Sequence, residues 1–250
     1  MNKNLLYKLP FLLTIIAHIG CSSSQKNTGS LKADIYNQER WMKQPFTQAP
    51  QILLTNQADF TDHESLFGAS AFLLTYHNQT FAVTAKHLIV EAGGVTPPIK
   101  ASELNQLIQV WNLYPRAGMI DTVLIDTLIN TSDQIQNDIL IFSIKSLQTS
   151  FYPLKPRFQP VNERDTLYVI GCPYTEEECR QNKYPIQFLE ANNNLLTFEG
   201  MYGIQLRGFS GCPIIDQNGY VVGILTSGGE QNGKNYVIAE AISIIKDILP

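Results

Sequence analysis

Short apolar runs rich in β-branched and aromatic residues, separated by polar turn residues, recur along most of the chain. Residues 70–76 and 80–84 flank His77-Asn78-Gln79 and predict a hairpin. Further strands are predicted over 107–113, 122–129, 139–144, 166–171, 186–191, 195–199, 213–216 and 220–226. Asp216-Gln217-Asn218-Gly219 reads as a tight turn between the last two, with Asn218 and Gly219 expected at positive φ. Residues 239–249 carry Ile242, Ile245 and Leu249 at helical spacing and predict a closing helix. Pro153, Pro156 and Pro160 break any regular element near the middle and suit a connector between two halves. Many short strands, few helices and a central break predict an all-β chain, built as two antiparallel barrels or as a sandwich. No internal repeat or low-complexity tract is present.

The N-terminus departs from this pattern. Lys3 and Lys8 precede an apolar stretch over 9–19, which ends at Gly20-Cys21 and three serines. A basic region, a short apolar region and a small residue before a cut describe an export signal over 1–20. The stretch is short for a transmembrane span, which needs about 20 apolar residues, and Pro10 and His18 interrupt it. The Gly-Cys ending resembles a bacterial lipoprotein signal, which implies acylation of Cys21 and a lipid anchor in the membrane. His18 stands where such signals usually carry an apolar residue. A plain cleaved signal and an uncleaved anchor are the other readings, and each of the three places the remainder outside the cytoplasm. Residues 21–50 are mostly polar and read as a tether, with a short helix over 34–42 and the folded part expected from about Gln51.

Composition narrows the function. The chain has 250 residues, 44% hydrophobic and 16% charged, with 18 basic against 22 acidic residues. That is globular and mildly acidic, with no basic block, so a nucleic-acid partner is not expected. Four cysteines occur. Cys172 and Cys179 bracket a short polar loop and either close a small disulfide in an oxidising compartment or remain two thiols. Neither CxxC nor HExxH is present, so no metal or other cofactor is expected.

Three segments carry candidate chemistry: Ala82-Val83-Thr84-Ala85-Lys86-His87, Gln136-Asn137-Asp138-Ile139-Leu140-Ile141 and Gly208-Phe209-Ser210-Gly211-Cys212-Pro213. Taken singly, His87 could end a strand, Asp138 could cap a turn and Ser210-Gly211 could be a loop. Together, in the order His, Asp, Ser, they resemble the trypsin-like (chymotrypsin-fold) serine proteases. The nearest likeness is to bacterial high-temperature-requirement-type and other extracellular members. Thr166-Leu167-Tyr168-Val169-Ile170-Gly171-Cys172-Pro173, Val221 to Gly228 and Asn235 to Ile242 extend the resemblance over about residues 60–250. It implies two antiparallel six-stranded β-barrels with a C-terminal helix: barrel 1 over about 51–150, barrel 2 over about 160–238 and the helix over 239–249. Asp126 and Asp133 are rival acids outside an Asn-Asp-Ile context. All four histidines precede Ser210, which excludes an α/β-hydrolase, whose His follows its Ser. His63 and His77 read as surface residues.

The resemblance implies a polypeptide substrate and a role for each residue. His87 would take the Ser210 proton, Asp138 would fix the imidazole, and the Gly208 and Ser210 amides would form the oxyanion hole. Ile204 stands where the primary specificity pocket has its base, so an Arg or Lys preference is not expected. Thr226, Ser227 and Gly228 would offer backbone to an extended peptide. Two residues depart from the family pattern: Lys86, beside the candidate base, and Cys212, whose thiol is expected to be redox-sensitive. The reading is an exported serine endopeptidase; the alternative is a catalytically silent domain that binds a partner in the envelope.

Overall fold

Some strands, such as Leu195–Gly200, alternate buried with more exposed residues, while others, such as Pro213–Asp216, are buried throughout, and the strands close on themselves rather than pack as open sheets. The computed structural model describes residues 37–118, 121–134, 136–145, 150–176 and 178–249. The first barrel contains β1 (Leu54–Phe60), β2 (His63–Tyr76), β3 (Gln79–Thr84), β4 (Ile108–Tyr114), β5 (Val123–Leu128) and β6 (Leu140–Ile144), closed in the order β1-β2-β3-β6-β5-β4. The second contains β7 (Leu167–Gly171), β8 (Asn182–Asn192), β9 (Leu195–Gly200), β10 (Pro213–Asp216), β11 (Val221–Gln231) and β12 (Lys234–Ala241), closed as β10-β11-β12-β9-β8-β7. All strand pairs are antiparallel. The architecture is the expected pair of six-stranded barrels, not a sandwich.

Each barrel has its own apolar core. Trp111, Phe142 and Leu104 are buried in the first, and Phe198, Phe209 and Ile215 in the second. Asn56, fully buried in the first barrel, is satisfied on both ends of its amide. It accepts from Trp111 Nε1 at 3.2 Å and donates to the Ser70 and Gly68 carbonyls at 3.2 and 3.3 Å. The long β2 bends where its register with β1 shifts, near Gly68 and Ala69, both at positive φ. That bend carries the strand from its own barrel to the face of the other.

The connector does more than separate the halves. Leu154 bridges to Leu74 of the first barrel, and Pro156 bridges to Val221 of the second. Arg157 bonds Asp165 at 2.8 Å and Asp216 of β10 at 3.3 Å, with its side chain largely buried.

Several expectations need correction. β1 lies in a stretch for which no strand was predicted, and helix α1 (Ala101–Leu107) precedes β4. β8 begins at Asn182, earlier than the expected 186, because Pro185 fits opposite Tyr168 in the ladder. The two-residue hairpin turn is His77-Asn78, both at positive φ, whereas in the 216–219 turn only Gly219 is at positive φ. The closing helix does not start at 239. β12 runs through Ala241, paired to β9 and β11 on its two sides, and is followed by a 3-10 turn (Ile242–Ile244) and a four-residue helix α2 (Ile245–Ile248). Ile242, Ile245 and Leu249 are nevertheless all buried, as their spacing required.

The packed chain also begins before Gln51. A 3-10 turn (Arg40–Lys43) seats Trp41, 7% exposed, against Phe46 and Tyr152. Glu39 pairs with Lys155 at 2.8 Å, and its amide donates to the Asn218 carbonyl at 2.9 Å. Residues 37–50 are therefore a docked strap, held by a few large side chains in an otherwise polar run. Of the helix expected over 34–42, residues 34–36 lie outside the described residues, as does Cys21 with its leader, and the remainder is irregular up to the 3-10 turn at Arg40. No helix among the described residues is long and apolar enough to cross a membrane.

Candidate active site

His87 stands three residues past the end of β3, in a 3-10 turn (Lys86–Ile89), and Asp138 two residues before the start of β6. β3 and β6 are neighbours, so the two residues meet although 51 positions separate them. His87 Nδ1 lies 2.6 Å from Asp138 Oδ2, and the His87 amide donates to Asp138 Oδ1 at 2.7 Å. A carboxylate held at both oxygens fixes the ring plane and the Nδ1–H tautomer. This leaves Nε2 to accept from Ser210 Oγ, 2.8 Å away. The His87 and Asp138 side chains are 24% and 29% exposed, so the pair is reachable yet shielded on most sides.

Ser210 sits in the loop 201–212 of the second barrel. Phe209 plugs this loop into the barrel core. Its ring packs against Tyr184 and against Gly171, where a Cβ would stand 2.2 Å from it. With Phe209 buried, its neighbours Gly208 and Ser210 are held at the surface. Gly208 has φ +94° and its α-carbon faces the Tyr174 ring, so a side chain fits there neither by conformation nor by space. Gly211 approaches the first barrel so closely that a Cβ would lie 1.9 Å from the Ser70 carbonyl oxygen. Among the described residues, the Gly208 and Ser210 amides have no protein acceptor and remain available to one from outside.

Ser70, on the bent β2, holds the loop from the opposite barrel. Its amide donates to the Ser210 carbonyl at 2.8 Å and its hydroxyl to the Gly208 carbonyl at 2.7 Å. The Ser70 carbonyl in turn accepts from Thr84 Oγ1 at 2.7 Å and from Asn56. Sequence reasoning missed Ser70: a serine in an apolar strand carries no local signal of a contact 140 residues away.

Cys172 and Cys179 are joined in a disulfide that closes the loop carrying Tyr174. Arg116 of the first barrel stacks over the Tyr174 ring and donates to the carbonyls of Cys172, Pro173 and Tyr174 at 3.3, 2.9 and 3.2 Å. The Ala69 amide donates to the Tyr174 hydroxyl oxygen. Tyr174 thus forms one wall of a cleft of about 440 Å³ that opens from Ser210 and His87 toward Phe67, Glu91 and Arg207.

The residues expected to bind substrate belong to the second barrel and its loop 201–212. None of Ile204, Thr226, Ser227 and Gly228 lines that cleft. Ile204 is half-buried against the second-barrel core, its carbonyl accepting from Asn235 at 3.0 Å. Thr226 is buried, and its hydroxyl donates to the Ile238 carbonyl at 3.4 Å. Ser227 and Gly228 are paired to β12, while β10 stops opposite Ile224 and leaves their other edge unpaired by it. Leu206 lies over Gly228, close enough that a Cβ there would meet its methyl at 2.7 Å.

The remaining candidates fall away from the centre. Asp126 bonds Ser143 and Thr127, and Asp133 bonds Ser102. His63 lies near the Thr61 carbonyl, and His77 is stacked on Tyr76 in its turn. The charge of Lys86 acts at Asp133, where, after the Ser102 hydroxyl bond, it helps to hold that carboxyl below its usual range. Cys212 is fully buried, and burial pushes its thiol up to about 12. It is a packed apolar group and not the redox-sensitive thiol expected from its place beside Ser210.

Comparisons with known proteins agree with this architecture. The Trypsin family model matches residues 63–249. No curated protein matches the sequence. Among solved structures, the chain is similar to a protease from M. tuberculosis in its active form, at 16% identity, TM-score 0.55, covering 85% of this chain and 86% of that one. It is similar to a serine endoprotease from Yersinia pestis at 16% identity, TM-score 0.54, covering 80% and 62%. It is also similar to the protease Anisep from Arthrobacter nicotinovorans at 13% identity, TM-score 0.54, covering 80% and 94%. These likenesses speak for the fold, and the family match extends over three quarters of the sequence: the chain belongs to the trypsin family of serine endopeptidases.

Proposed function

We propose that this chain hydrolyses peptide bonds through Ser210, His87 and Asp138, with Gly208 and Ser210 as oxyanion donors. The hydrogen-bonded run from Ser210 Oγ through His87 to Asp138, drawn from both barrels, is the observation that carries the reading. His87 Nε2 takes the Ser210 proton as Oγ attacks the scissile carbonyl carbon. The oxyanion that forms accepts from the two amides, and Asp138 stabilises the imidazolium. The imidazolium gives its proton to the leaving amine, an acyl-enzyme remains, and water activated by the same imidazole releases the acid. An extended peptide would pair along the open edge of Ser227 and Gly228. With Ile204 in place of a carboxylate, no preference for Arg or Lys before the cut is expected.

We further propose that the domain works outside the cytoplasm, tethered to a bacterial envelope membrane by a lipid on Cys21. The leader over 1–20 and the Gly20-Cys21 ending support this. The Cys172–Cys179 bridge fits an oxidising compartment.

The test is labelling with a fluorophosphonate probe. The parent is expected to react, and Ser210→Ala and His87→Ala are expected to lose labelling. A folded parent that stays unlabelled would sink the catalytic assignment. Radiolabelled palmitate incorporation that survives Cys21→Ala would remove the anchor.

A further inference from the structure

Glu240 lies near the end of β12, between β9 and β11, and is 4% exposed. A carboxylate amid Val237, Ile238, Ala239, Ala241 and Ile242 is out of character for a barrel wall, and burying it costs free energy unless it does something there. One of its oxygens has a single partner: Oε1 accepts the backbone N–H of Asp138 at 3.0 Å. The other, Oε2, has none among the described residues. Burial first, and then the charge of Asp138, push its carboxyl above the usual range. The contact crosses between barrels, since Asp138 belongs to the first and Glu240 to the second.

We propose that Glu240 is a positioning residue for the acid of the triad: it anchors the Asp138 main chain from the second barrel and so sets the Asp138 carboxylate against the His87 imidazole. The inference rests on the catalytic reading above. Asp138 stands at the mouth of β6, in a turn that its own barrel does not hold at that amide. Its side chain must meet two His87 donors at once, Nδ1 and the amide, and a small rotation of the turn would release one of them. Glu240 supplies the missing fixed point. Since the residue is driven toward its neutral form, glutamine preserves what the contact needs, a carbonyl oxygen at the same reach, whereas methionine keeps the length and removes the acceptor.

The experiment compares Glu240→Gln and Glu240→Met in the full chain, with thermal unfolding as the folding control. Glu240→Met is expected to lower kcat about tenfold or more while KM stays within about twofold, because an imidazole that is poorly oriented loses transition-state stabilisation and not substrate binding. Glu240→Gln is expected to stay within about threefold of the parent. Should Glu240→Met not fold, Glu240→Ala, which leaves room for water, takes its place. A second readout needs no turnover. In a Ser210→Ala background, the downfield proton resonance of the His87 Nδ1–H bond is expected to persist with Gln and to broaden or vanish with Met. A folded Glu240→Met protein with parental kcat and an intact resonance would overturn the proposal. So would a Glu240→Gln protein as impaired as Glu240→Met. A parent that hydrolyses nothing would count against the catalytic reading alone, and the resonance would still decide the role of Glu240.

Discussion

The two barrels hold their share of the site in different ways. In the first, His87 and Asp138 stand next to adjacent strands, β3 and β6, and the ladder between those strands sets their separation. In the second, Ser210 rides on the loop 201–212, whose backbone passes through positive φ at Met201, Gly203, Gly208 and Gly211. A strand end is positioned by its own sheet. A loop of that shape must be positioned by whatever it touches, and here much of what it touches belongs to the other barrel. Ser70 reaches from the first barrel to the carbonyls on either side of Phe209, and Glu240 reaches from the second to the amide of Asp138. The geometry of the candidate site is thus tied to the register between the barrels as well as to each barrel.

That contrast can be broken most severely at Gly211. Alanine there would drive a methyl into the Ser70 carbonyl and place a side chain at φ +86°. A displacement of about 1 Å is enough to cost about 10²-fold in rate. Gly211→Ala is expected to lose at least that much probe labelling, while far-UV circular dichroism still reports folded barrels. Parental labelling by this variant would show that the loop is set by its own barrel.

Ser70→Ala is the finer instrument. It keeps the amide bond to Ser210 and deletes the hydroxyl bond to the Gly208 carbonyl, together with the hydroxyl's bond to Cys212. Loss of one such bond costs about 1 kcal/mol. If the loss falls on the oxyanion donors, kcat/KM should drop about fivefold, as that energy implies. A stability loss without a change in kcat/KM would assign the bond to folding alone.

The smallest effect concerns the docked strap, remote from the site. Burial raises the Glu39 carboxyl, but the bonds from Lys155 and Tyr152 outweigh it and hold the group below its ordinary 4.5. A lowered folded value means that the stabilisation is present above 4.5 and is lost as pH falls through the lowered value. The difference in melting temperature between parent and Glu39→Gln should therefore be constant from neutral pH down to about 5 and shrink in more acid solution. Probe labelling at neutral pH should be the same in both. A labelling difference would tie the strap to the site.

Much of this was legible in the sequence, for a physical reason. Side chains that move protons must be of particular types, and the short runs around His87, Asp138 and Ser210 carry backbone requirements of their own, such as glycine at 208 and 211. Those runs could be read locally, and the structure brings the three side chains together. Ser70 and Glu240 could not be read in the same way. Serine and glutamate are common, and their contacts arise only when two barrels close and meet. β1 was missed because Asn56, a polar residue satisfied entirely by long-range bonds, interrupts its apolar pattern. The strap was missed because its polar composition masks the few anchors, Trp41 and Phe46, that dock it. The end of β12 was misjudged because Ala239 to Ile242 suits helix and strand alike, and the two flanking strands decide between them.

The sequence has two tryptophans, and the fold places one in the first barrel and one in the strap. Trp111 is sealed inside the first barrel, tied to Asn56 and ringed by Phe60 and Phe142. Trp41 belongs to the strap and packs beside Phe46 and Tyr152. Intrinsic fluorescence therefore contains two separable reporters: with Trp41 replaced by phenylalanine the emission follows the core of the first barrel, and with Trp111 replaced it follows the docking of the strap.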